Sequence, residues 1–181
     1  MARKRNFRTM TMKELEHCID AYGTDIYNFC LHLTKERELA EELYQDTFLT
    51  AIKILDRIKN TKNPKSYLLS IAIRLWNNRK KKWAWRNRIA PIQTLEDTYD
   101  ATLSNPQSDT ILETEQTLVI RKAIHRLEEK YRIVVLLYYM EELSLVQISK
   151  ILHVPTGTVK SRLFTARKIL KSELEGYFYE S

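Results

Sequence analysis

"SLVQISKILHVPTGTVKSRLFTARKIL", residues Ser144 to Leu170, holds two helical patterns broken by a turn. Leu145, Ile148, Ile151 and Leu152 give the first, short helix one apolar face. Pro155 disfavours continuing that helix through His153 and Val154, and Thr156 is placed to cap the next one. Counted at about 100° per residue, Val159, Leu163, Ala166 and Leu170 then form an apolar stripe, while Lys160, Ser161, Phe164, Thr165 and Lys168 fall largely opposite. The stretch therefore reads as a helix-turn-helix whose second helix is presented outward, with a basic, hydroxylated and aromatic outer face. Such a helix fits the major groove of DNA, its N-terminal side chains reaching base edges while Arg and Lys hold phosphates. Phe164 suits a thymine methyl, and Ser161 or Lys160 a hydrogen bond to a base edge.

Working outward, the chain of 181 residues has only 3 Gly and 4 Pro, and its apolar residues recur at helical rather than alternating spacing. An all-α fold follows. Helices are expected at about Lys13 to Thr34, Glu36 to Ile58, Pro64 to Trp85, Thr110 to Leu127, Glu128 to Glu141, Leu145 to Leu152 and Thr156 to Leu174. Breakers concentrate between Asn87 and Leu112, where Pro91, Pro106, Asp97, Asp100, Ser104, Asn105 and Asp109 interrupt any apolar stripe. Charge changes sign there too: residues 1–86 carry +8, 87–112 carry −3 and 113–181 carry +2. Two small helical domains, 1–86 and 113–181, are thus expected on either side of a flexible acidic linker, 87–112.

The net charge of +7 favours an anionic partner such as nucleic acid. No stretch approaches the roughly 20 apolar residues of a membrane span, and no apolar segment follows the basic N-terminus, so membrane insertion and secretion are not expected and the protein should be cytoplasmic. Cys18 and Cys30 are too few for a disulfide framework and wrongly spaced for CxxC chemistry; both should be reduced and packed on helices. His17, His32, His125 and His153 are scattered, and no phosphate loop or nucleophile motif occurs. Neither an enzyme, a metal nor a cofactor is implied.

Two further helical faces carry information. On the second helix, Leu43, Tyr44, Thr47, Ala51 and Ile54 share an inward face, while Glu42, Gln45, Asp46, Leu49 and Lys53 point outward. An exposed Leu among acids and an amide suits a partner helix that is basic around an apolar groove. On the third helix, Ser70, Arg74, Asn77, Asn78 and Lys81 occupy one polar sector, with Leu68, Ala72, Leu75 and Trp76 across from it. "RKKKWAWRNR", Arg79 to Arg88, then interleaves Trp83 and Trp85 with cations, a combination that suits unpaired or melting DNA.

"EEKYRIVVLLYYMEELSLVQISKILHVPTGTVKSRLFTARKIL", Glu128 to Leu170, resembles region 4 of bacterial RNA polymerase sigma factors of the extracytoplasmic-function (ECF) class in the sigma-70 family. "AEELYQDTFLTAIK", Ala40 to Lys53, resembles region 2.2, and "NPKSYLLSIAIRLWNNRKKK", Asn63 to Lys82, resembles regions 2.3 and 2.4. His153 stands where members usually carry Gly at the turn, and Glu142 replaces another common Gly. A strained turn is therefore expected at His153. Glu128 replaces a common Pro, Thr165 a common Arg and Arg74 a common Asn.

The resemblance implies an initiation specificity factor. Region 4 would read the −35 element through Thr158, Lys160, Ser161, Arg162, Phe164, Thr165, Arg167 and Lys168. Region 2 would hold the melted −10 element through Asn60, Lys62, Asn63, Ser70, Arg74, Asn77, Asn78, Lys81 and Trp83. Glu42, Gln45, Asp46, Leu49 and Lys53 would grip the clamp helices of the polymerase largest subunit, with the flap of the second-largest subunit as a further partner and an anti-sigma factor expected from the class. The linker would run through the polymerase toward its active site and RNA exit path. Outside such complexes a monomer is expected. The alternative is a repressor or activator that binds duplex operators as a dimer without polymerase.

Overall fold

The computed structural model describes residues 9–55, 63–89 and 115–178. All the regular structure among them is helical. The chain divides into two units, within residues 1–98 and 99–181.

The first unit packs α1 (Met12–Thr34), α2 (Arg37–Lys53) and α3 (Pro64–Ile89) against one another. Thr11 starts α1 with a capping box: its hydroxyl accepts the Glu14 backbone N–H, and the Glu14 carboxylate accepts the N–H of Thr11 at 2.7 Å. Lys35, left-handed at φ 65°, ends α1 and lets the chain reverse into α2. The core is built from Leu15, Ile26, Phe29 and Leu33 of α1, Ala40, Leu43 and Ala51 of α2, and Leu68, Leu69, Ala72 and Trp76 of α3. Neither Cys18 nor Cys30 forms a disulfide, and both are buried on α1. Gly23 admits α2 closely, since a Cβ there would lie 3.0 Å from the Tyr44 hydroxyl. Lys65 pairs with Asp25 and fastens the start of α3 to α1.

The second unit comprises α4 (Glu115–Arg126), α5 (Glu129–Val135) continued by a π-helical turn (Leu136–Met140), α6 (Leu145–Leu152) and α7 (Thr156–Phe178). Buried Arg132 donates to the carbonyls of Leu127 at 3.0 Å and His125 at 3.4 Å, closing the end of α4. The wide turn is set by the Glu141 N–H reaching back to the Leu136 carbonyl at 3.1 Å, after which Glu142 takes φ 51°. Ile133 to Leu137, Leu143, Ile148, Val159, Leu163 and Ala166 fill the core.

Several elements differ from the sequence reading, among them α7, which runs to Phe178 rather than to the expected Leu174. The α2 helix ends at Lys53, and its expected last residues beyond Leu55 lie outside the described residues. The α3 helix runs to Ile89, past the expected end at Trp85 and past the start of the expected linker at Asn87; residues 90–114 lie outside those described. The single helix expected over Glu128 to Glu141 is interrupted by the π turn. Thr156 is already inside α7 rather than ahead of it: the Pro155 carbonyl accepts from Thr158 and Val159, because a proline just before the first turn forfeits an N–H that has no partner there.

Candidate nucleic-acid interface

The helix-turn-helix is fixed by local chemistry at each joint. Ser144 caps α6 in a second capping box with Gln147. His153 ends α6 in the left-handed region, φ 52° and ψ 43°, where its N–H bonds the Ser149 carbonyl. The Ser149 hydroxyl donates to the Val154 carbonyl at 2.6 Å and closes the turn. His153 thus adopts the left-handed backbone that glycine takes most readily.

On α7, Val159, Leu163 and Ala166 are buried against α5 and α6, which turns the opposite side to solvent. Lys160, Ser161, Phe164 and Lys168 are exposed, Phe164 by 71%, while Thr158, Arg162 and Thr165 are half-buried. Ser161 donates back to the Thr158 carbonyl at 3.0 Å, leaving its oxygen free to accept. Arg167 faces the π-helical turn: its Nε donates to the Tyr139 hydroxyl at 2.6 Å and its guanidinium lies over the Tyr138 and Tyr139 rings. That hydrogen bond pushes the Arg167 pKa further up. The tyrosine partners were missed by the sequence reading, because the π turn that aims them has no simple sequence signature.

In the first unit, Glu42, Gln45, Asp46, Leu49 and Lys53 all lie exposed on the outer face of α2, Leu49 by 52%. Two of the acids are already engaged. Arg79 of α3 bridges Glu42 at 2.9 Å and Asp46 at 3.1 Å. Along α3, Arg74, Asn78 and Lys81 are exposed and Ser70 and Asn77 half-buried. Ser70 donates to the Tyr67 carbonyl at 2.6 Å, and Asn63 accepts the Ser66 N–H at 2.9 Å as a cap on α3. Asn60 and Lys62 lie outside the described residues.

The two tryptophans part company. Trp83, two helical turns past Trp76, packs edge-on to it with centroids 5.6 Å apart, whereas Trp85 is 64% exposed. Trp85 joins Asp46, Leu75, Asn78, Arg79, Lys81 and Lys82 in lining an open cleft of about 710 Å3. Helical spacing was the signal that separates them: Trp85 continues the polar sector of Asn78 and Lys81, and Trp83 continues the buried one.

Residues 18–86 match the family model for sigma-70 region 2, and residues 117–170 match that for sigma-70 region 4. The ECF RNA polymerase sigma factor SigW of Bacillus subtilis is 30% identical over 162 residues, covering 86% of each chain. The chain belongs to the ECF sigma factors of the sigma-70 family. SigM of the same organism is 28% identical, covering 90% of this chain and 94% of its own. In fold, this sigma factor matches the sigma factor RpoE of Bartonella quintana, solved with the anti-sigma factor NepR, at TM-score 0.76 and 21% identity over 91% and 98% of the two chains. CnrH, solved with the cytosolic domain of CnrY, matches at TM-score 0.63 and 14% identity over 92% and 90%. An alternative sigma factor directs RNA polymerase to particular promoters and is not itself an enzyme. No helix among the described residues is long and apolar enough to cross a membrane.

Proposed function

We propose that α7 reads the −35 element as duplex, through Lys160, Ser161, Phe164 and Lys168 toward base edges and phosphates, with Thr158, Arg162, Thr165 and Arg167 flanking them. The observation that carries this reading is Phe164, 71% exposed among cations on a helix whose other side is buried. Gly157 supports it. Its φ is not positive and a Cβ there would meet nothing within 4 Å, so the chain's own folding does not require glycine. An outside backbone approaching the first turn of α7 would require it.

The domain 1–86 holds polymerase core through Glu42, Gln45, Asp46, Leu49 and Lys53 against the clamp helices. It stabilises the melted −10 element through Asn60, Lys62, Asn63, Ser70, Arg74, Asn77, Asn78, Lys81 and Trp83. The domain 113–181 adds contact with the flap of the second-largest subunit, and the acidic segment 90–112, after the end of α3, joins the two. The protein acts in the cytoplasm, is monomeric outside complexes and is held silent by an anti-sigma factor, as the B. quintana complex supports by analogy. The test is run-off transcription from genomic fragments with purified core polymerase, with and without this protein, beside gel shifts of the protein alone. Discrete new transcripts that require core support the reading. Tight binding by a dimer without core, and no new start sites, overturns it.

A further inference from the structure

Arg167 and Tyr139 make a contact that none of the assignments above explains. Arg167 follows Lys160 and Phe164 at four- and three-residue spacing along one side of α7 and is exposed. Its Nε donates to the Tyr139 hydroxyl at 2.6 Å, and its guanidinium lies 5.6 Å from the centre of that ring and 5.7 Å from the centre of the Tyr138 ring. The two rings meet edge-on, 5.0 Å apart at 81°, and so form a corner around the cation. Tyr139 lies within the π turn, whose i→i+5 bonding shifts the residues after it around the helix axis. It is itself 54% exposed. Water competes for both groups, so the bond contributes little to folding. Its consequence is one of orientation: with Nε held, the plane of the guanidinium is set, and with it the fork of terminal nitrogens that can grip a phosphate bidentately.

We propose that Tyr139 is a positioning residue for promoter recognition, its hydroxyl holding the Arg167 guanidinium in the orientation that grips one phosphate of the −35 duplex. A long, mobile side chain surrenders rotamer freedom when it binds, and one that is fixed beforehand has less to lose. Tyr139 acts only through Arg167. A phenylalanine in its place keeps the ring beside the cation but releases Nε. The inference rests on the reading of α7 as the −35 helix, and adds to that interface a residue from outside the helix-turn-helix.

The test is a double-mutant cycle. Holoenzymes carrying wild-type, Tyr139→Phe, Arg167→Ala and doubly substituted protein are titrated with a promoter that includes its −35 element and with a −10 fork that lacks it, and urea unfolding of each free protein is measured beside them. Tyr139→Phe should weaken binding to the −35 promoter about three- to ten-fold, with fork binding and unfolding unchanged. It should have no further effect once Arg167 is alanine. Its salt slope should match wild-type, because the phosphate contact survives, whereas Arg167→Ala should lower the slope by about 0.9. Equal promoter affinity for Tyr139→Phe overturns the inference. So does an equal loss in the Arg167→Ala background, which would make Tyr139 a DNA contact or a structural support in its own right. If Arg167→Ala binds normally while Lys160→Gln with Lys168→Gln binds weakly, α7 still reads the duplex and this inference falls alone. Normal binding by both overturns the reading of α7, and the inference with it.

Discussion

Two residues in the recognition turn carry opposite backbone lessons. His153 sits at φ 52° with a Cβ, a conformation that costs an L-residue on the order of 1–2 kcal/mol. His153→Gly should raise unfolding stability by about 0.5–1 kcal/mol, once the added freedom of glycine in the unfolded chain is set against the relief. Urea denaturation of the two proteins reads this directly; no gain would mean that the turn is not strained. Gly157 is the reverse case, a glycine inside a helix where neither φ nor packing asks for one. Gly157→Ala should be neutral or add up to about 1 kcal/mol to stability, yet weaken holoenzyme binding to a promoter carrying its −35 element. A variant that is more stable and binds equally well would remove the argument for close approach at that turn. The exceptional backbone at His153 was legible in the sequence, because the resemblance places glycine there. That Gly157 is free of its own chain was not, since only packing reveals an empty neighbourhood.

At the scale of helices, amphipathic spacing carried most of the reading. Leu43, Thr47 and Ala51 are buried and Gln45, Asp46 and Leu49 exposed, as spacing on α2 requires. What spacing cannot show is a partner on another helix. Arg79 was legible only as part of a charge run, but in three dimensions it ties Glu42 and Asp46 of α2 to α3. Because these pairs are largely exposed, Arg79→Ala should lower stability by no more than about 1 kcal/mol. Its larger effect should be on core affinity, since the two carboxylates lose the guanidinium that sets their spacing; isothermal titration against core that finds no change would sink that role. Arg132 is the contrasting case. It is buried and donates to two carbonyls at the end of α4, so Arg132→Ala should cost about 3 kcal/mol by thermal or urea unfolding. The π turn after Val135 was illegible, because residues 136–140 carry apolar side chains that an ordinary α-helix would place almost as well.

Across the whole molecule, the charge is unevenly shared, +8 within residues 1–86 against +2 within 113–181. On the proposed reading, recognition of duplex by α7 and of unpaired DNA by α3 would differ in electrostatics as well as in geometry. Each phosphate neutralised on duplex contributes about 0.9 to the slope of log affinity against log salt, and on single strands about 0.7. Lys160→Gln with Lys168→Gln should thus flatten the salt dependence of holoenzyme–promoter binding by about 1.8, on paired and fork templates alike. Lys81→Gln with Lys82→Gln should flatten it by about 1.4, and only on the fork. The control is Lys122→Gln, an exposed cation on α4 outside the proposed DNA contacts, which should leave the slope unchanged. If the two pairs behaved identically on both templates, the DNA would be held by diffuse positive charge. The separation of a duplex-reading helix from a strand-holding one would then lose its physical basis, because only local phosphate contacts distinguish which lysines matter on which form of DNA.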